Sequence, residues 1–100
     1  MAAFGATTLV PIFSGENYDY WSLKMKTFFL SQDRWDVVEK GVAVPSKGVL
    51  DSAQHKQEST KDARALFILQ QAVTKSIFPR LMRANTSKGA WQILQLEFQD

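Results

Sequence analysis

From Tyr18 onward the large apolar side chains Trp21, Met25, Phe28 and Phe29 recur at spacings of four, three and one, while Ser22, Lys24, Lys26 and Thr27 take the other faces. That is the period of an α-helix with one apolar side, and such a side must be buried against something. In a chain of 100 residues the opposing surface has to belong to the same small core, because so short a chain builds one hydrophobic centre rather than several. The composition, 45% hydrophobic and 22% charged, is that of a chain able to fold rather than of a disordered one.

The other elements follow from similar local signals. The opening "MAAFGATTLVPIF" has no helical period and reads as an extended arm; Pro11 lacks a backbone donor and biases Val10 toward extended backbone. Leu9, Ile12 and Phe13 are the side chains that would anchor this arm to the surface of the domain. "SGEN" is a turn in which Gly15 permits tight geometry and Asn17 is expected to cap the first helix through its side-chain oxygen. Residues 1–16 therefore read as arm and turn, and residues 17–100 as one helical domain.

A second, short helix is expected from about Asp33, as its cap, through Trp35, Val37, Val38 and Lys40, with Gly41 closing it in the left-handed conformation. "GVAVPSKGVL" is a loop punctuated by Gly and Pro. A long helix follows from Asp51 or Ser52. It is polar on every side at first and then apolar at Ala63, Leu66, Phe67, Val73 and Ile77 until Pro79 stops it. "RLMRAN" allows one helical turn, and a last helix begins after Thr86 as N-cap and buries Trp91, Leu94 and Phe98. The expectation is an all-α bundle of four to five helices with an extended N-terminal arm, its tryptophans Trp21, Trp35 and Trp91 sharing one core.

Chemistry is conspicuous by its missing parts. Without cysteine there are no disulfides, thiolate metal sites or thiol nucleophiles. His55, the single histidine, stands among Gln54, Lys56 and Gln57 and reads as a solvated surface residue. Asp33 and Asp36 read as a cap and a favourable charge at a helix start rather than as a metal or proton site. Gly41 and Gly48 lack the spacing of a phosphate loop. The expectation is accordingly no enzyme, no cofactor and no metal. Lys75, Arg80 and Arg83, with Phe78 beside them, form a small basic patch, but the net charge of +2 gives no strong phosphate-binding field, so RNA contact is expected to be weak or indirect. The first residues lack the basic start and long apolar core of a signal peptide, the apolar runs are far short of a membrane span, and a cytoplasmic location is the default expectation.

Taken in order, these residues resemble the N-terminal part of the Gag polyprotein of copia-type LTR retrotransposons, particularly those of plants. "LVPIFSGENYDYW" fits that family's Phe-x-Gly-x-Asn-Tyr-x-x-Trp pattern at Phe13, Gly15, Asn17, Tyr18 and Trp21, followed by Met25. "DRWDVVEKG" fits its aspartate, tryptophan and paired valines before a glycine at Asp33, Trp35, Val37, Val38 and Gly41, and "KDARALFILQQAV" and "TSKGAWQILQLEF" look like its next helices. The resemblance runs from about Leu9 to Phe98.

What it implies is a capsid-like assembly domain that joins itself and other Gag subunits in a particle enclosing the element's RNA. The alternative implied is a Gag-like lobe kept by a host and used to bind a peptide segment of a partner protein. Two departures stand out. Gly89 occupies the place, three residues after Thr86, where family members usually carry the acid of a capping box. The sequence given also ends at Asp100, ahead of the remaining capsid helices and the zinc knuckle of such polyproteins, which leads to the expectation of a fragment of a longer polyprotein.

Overall fold

A computed structural model of the chain describes residues 10–42 and 52–99. These form four α-helices, α1 (Tyr18–Ser31), α2 (Trp35–Lys40), α3 (Ser52–Gln71) and α4 (Ser87–Phe98), with a 3₁₀ turn at Phe78–Leu81. The architecture is the expected all-α bundle. Helix α4 packs against α3, α2 and the 3₁₀ turn, and α2 bridges α1 and α3. The expected arm position Leu9 lies outside the described residues, as does most of the loop between α2 and α3.

Helix α1 buries the stripe its spacing predicts: Tyr18, Trp21, Met25 and Phe29 are all core residues, and Phe28 packs against them from the side. Its start differs from expectation. Asn17 occupies the N-cap position, with its carbonyl accepting from the Trp21 amide at 3.1 Å, but its side chain makes no cap hydrogen bond and its backbone is left-handed, φ 58 and ψ 48. What asparagine supplies here is tolerance of that conformation. With Gly15 just before it at φ +107, the turn bends sharply enough to bring the arm back over α1.

The arm is held by one residue above all. Phe13 forms an isolated parallel bridge with Val73, its amide donating to the Ala72 carbonyl at 2.8 Å and its carbonyl accepting from the Thr74 amide at 3.0 Å. Its ring lies 5.0 Å from Trp21, 5.8 Å from Tyr18 and 4.9 Å from Phe98. The Trp21 indole N–H adds a bond to the Pro11 carbonyl at 2.9 Å. Ile12, expected as an anchor, instead points outward and is 56% exposed, as alternation along an extended chain requires once Phe13 points in.

This bridge also explains a correction to α3. The helix ends at Gln71, not near Pro79, because the backbone of Ala72 and Thr74 is engaged by Phe13 and the β-branched Val73 and Thr74 favour extended geometry. Pro79 then sits inside the 3₁₀ turn, where its missing N–H costs little.

The inward face of α3 is Ala65 and Leu69, continuing into Ala72 and Val73, whereas Ala63 and Phe67 are exposed. The same register runs back through Asp62 and His55, so the polar half of α3 also has an inner side. His55 is partly buried rather than solvated, and its Nδ1 is enclosed without a partner among the described residues.

The two remaining helix ends are set by local chemistry. Gly41 closes α2 with φ 81 and ψ −179, a positive-φ region essentially open to glycine alone, though not the left-handed helical one expected. Thr86 caps α4 as its sequence predicts, its hydroxyl accepting from the Gly89 amide at 3.0 Å. A Cβ on Gly89 would lie 3.1 Å from that hydroxyl oxygen, close enough that the cap must shift by a few tenths of an ångström. The Thr86 side chain is exposed and free to give, so Gly89→Glu is expected to stabilise the domain by about 0.5–1 kcal/mol through helix propensity and a completed capping box. A lowered denaturation midpoint would show that the cap cannot move.

Candidate functional site

The residues that make the surface distinctive begin where α1 ends. The Asp33 amide donates to the Leu30 carbonyl at 3.1 Å and the Arg34 amide to the Phe29 carbonyl at 2.8 Å, with Asp33 at φ 57. These are the paired bonds of a Schellman turn, with aspartate where glycine is usual. Asp33 is therefore the turning residue after α1, not the cap of α2. Arg34 takes that cap position. The turn swings Arg34 toward α3, opposite Arg64.

A groove of about 610 Å³ lies between these elements, with Phe28, Ala63, Phe67 and Ile68 among its apolar walls and Arg34 and Arg64 at its edges. That volume is in the range of small-ligand clefts. Phe67, 58% exposed, projects between this groove and a second one of about 570 Å³ bounded by Val42, His55, Asn85 and Thr86.

The electrostatics of the first groove follow from where the acids go. Lys61 Nζ lies 3.0 Å from Asp36 and 3.8 Å from Asp33. Burial opposes the charge on Lys61, but the hydrogen bond to Asp36 and the charges of Asp36, Asp33 and Glu58 outweigh it and raise its pKa. With both aspartates turned to Lys61, neither Arg34 nor Arg64 has an ion-pair partner among the described residues. Arg34 Nη1 makes only long contacts of 3.4 Å to Gln32, and its Nε is buried without a partner. Two uncompensated guanidiniums thus border an apolar trough.

Beneath the second groove is a buried polar link. Asp62 of α3 accepts from the Ser87 amide at 3.0 Å and the Ser87 hydroxyl at 2.6 Å, placing a carboxylate at the N-terminus of α4. Sequence reasoning missed this pair. Its signal is a charged residue standing in the inward register of a helix, three residues before Ala65 and seven before Leu69.

The residues singled out from sequence fall in two groups. Phe13, Tyr18, Trp21 and Met25 meet in the core, and burial, with the charge of Asp19, pushes the Tyr18 phenol up to about 12. Trp35 and Trp91 are only partly buried, forming the edge of the cluster; Trp91 stacks on Trp21 at 5.7 Å and meets Trp35 edge-on at 5.2 Å. Gly15, Asn17 and Gly41 act through their backbones. The basic patch is weaker than its sequence, because Arg80 pairs with Glu97 and lies over the Phe98 ring, while Phe78 packs on the core; Lys75 and Arg83 are exposed.

Among the described residues no group of three or more His, Asp or Glu side chains gathers as a metal site, and no helix is long and apolar enough to cross a membrane. Fold and surface together define a small all-α domain with an aromatic core and open apolar grooves along α3. Compared with known proteins, the chain matches no family model, no curated sequence and no solved structure.

Proposed function

We infer that the chain is a structural protein, the N-terminal capsid lobe of a copia-type Gag, which helps to build a cytoplasmic particle around the element's RNA. The observation that carries this reading is the ordered set Phe13, Gly15, Asn17, Tyr18, Trp21 and Met25, followed by Trp35, Gly41 and Trp91. Its aromatic members form one connected ring cluster, and Gly15, Asn17 and Gly41 each hold a positive φ. A chain whose most distinctive residues are spent on its own shape acts through its surface, which is what an assembly domain requires. The weakened basic patch fits indirect RNA contact. Expression of the open reading frame that contains this chain, followed by electron microscopy, tests the reading. Regular shells that protect RNA from nuclease are expected; particle-free, monomeric product would overturn it.

A host-retained lobe that binds a peptide is the second reading, favoured by the open groove along α3. It is disfavoured at the arm, where Phe13 already fills the domain's own cleft, so that a peptide competing there must displace it.

A further inference from the structure

Building on the assembly reading, we propose that the groove between α1 and α3 receives the exposed Asp19, Tyr20 and Leu23 ridge at the start of α1 from a second copy of this chain. The groove offers Phe28, Ala63, Phe67 and Ile68 as apolar surface and Arg34 and Arg64 as cations without a counter-charge. The complementary surface is on the side of α1 turned away from the core. There Tyr20 and Leu23 are 64% and 67% exposed. Asp19 precedes Tyr20, and positions 19, 20 and 23 share one helical side, while Glu16, also exposed, lies in the turn before the helix. Neither acid has an ion-pair partner among the described residues. An acidic, apolar ridge on one copy thus matches a cationic, apolar trough on the next.

Charge decides between this contact and its competitors. Pairing α1 with α1 would leave the arginines of the trough without a counter-charge on both copies. Lys24 in the free chain folds back on the Tyr20 ring, its Nζ 5.3 Å from the centroid. A phosphate backbone suits the arginines but not the apolar trough between them. Because trough and ridge are different surfaces of one molecule, the contact is head-to-tail, and it leaves a free ridge on one copy and an unfilled trough on the other. Such a contact propagates instead of closing at a dimer, as a shell demands.

Sedimentation equilibrium from about 10 µM to 1 mM, the range expected for a contact of this size, tests the proposal. The wild-type chain is expected to grow beyond a dimer as concentration rises. Arg34→Glu with Arg64→Glu reverses the charge of the trough, and Glu16→Lys with Asp19→Lys reverses that of the ridge; each double variant alone is expected to associate at least about tenfold more weakly. Mixed together they are expected to regain association and to grow beyond a dimer, because the reversed ridge of one variant meets the reversed trough of the other and the native ridge meets the native trough. Circular dichroism checks that each variant is folded, and Phe67→Gln repeats the trough test without a change of charge. Association that persists in both double variants, or a mixture that stays monomeric, overturns the proposed contact while leaving assembly through another face intact. A wild-type chain still monomeric at the top concentration overturns the contact, whereas the assembly reading stands or falls on particle formation by the whole open reading frame. Binding of a single-stranded RNA oligonucleotide that only the trough variants lose, with self-association unaltered, assigns the groove to nucleic acid and likewise overturns it.

Discussion

Trp21→Ala is expected to lower the free energy of unfolding by about 3–5 kcal/mol, the range for truncating a buried large aromatic. Trp21 is 2% exposed and stands between three rings, Phe13 at 5.0 Å, Tyr18 at 5.9 Å and Trp91 at 5.7 Å. Alanine leaves a cavity bordered by all of them. It also removes the indole donor to the Pro11 carbonyl, one of the bonds that hold the arm. Domains of this size are stable by only about 5–15 kcal/mol, so the loss is a large part of the whole. Trp21→Phe separates the two contributions. It keeps most of the ring and loses the N–H, so it is expected to cost less than half as much. Chemical denaturation followed by far-ultraviolet circular dichroism reads both, and an unchanged midpoint for the alanine variant would place Trp21 in solvent rather than in the core.

The first helix was legible because its apolar residues have a single phase. Trp21, Met25, Phe28 and Phe29 fit one side of a helix but not of a strand, where Phe28 and Phe29 would point to opposite faces, and all four pack inward. In α3 the same reasoning finds two phases. "ARALFILQQAV" is apolar at Ala63 and Phe67 and equally at Ala65 and Leu69, and periodicity alone gives no reason to prefer either. The choice is made by groups far away in sequence: Phe13 takes the backbone around Val73, and Ser87 takes the carboxylate of Asp62. Asn17 was misread for a related reason. Its residue type signals a helix start, but whether the side chain or the backbone serves depends on the path of the arm that enters it.

The surface was less legible than the core. Arg34 and Arg64 are thirty residues apart, and nothing local distinguishes them from other solvated cations. They become a pair only because a Schellman turn redirects the chain at Asp33, and because Lys61 draws the neighbouring acids to itself. Phe67 was assigned to the core on hydrophobicity. It stands 58% exposed, because the other apolar phase of the helix, Ala65 and Leu69, is the one that is buried.

The phase of α3 itself rests on Asp62, and Asp62→Ala is expected to destabilise the domain by roughly 2–4 kcal/mol. Ser87 is fully buried, and its amide and hydroxyl both donate to the same carboxylate oxygen. Removing that acceptor strands two buried donors, each at a cost of about 1–3 kcal/mol, with partial relief if the hydroxyl turns to the Val37 carbonyl, now 3.5 Å away. Asp62→Asn keeps an acceptor oxygen in place and loses only the interaction of a full charge with the start of α4, worth about 0.3–1 kcal/mol. Ser87→Ala keeps the amide bond and removes one donor, so it should fall between the two. That order, alanine at 62 worst, alanine at 87 intermediate and asparagine at 62 mildest, is what denaturant titration should return. Equal effects for Asp62→Ala and Asp62→Asn would mean that charge rather than hydrogen bonding carries the link. A negligible effect of Asp62→Ala would mean that hydrophobic packing at Ala65 and Leu69 holds the helix in register unaided.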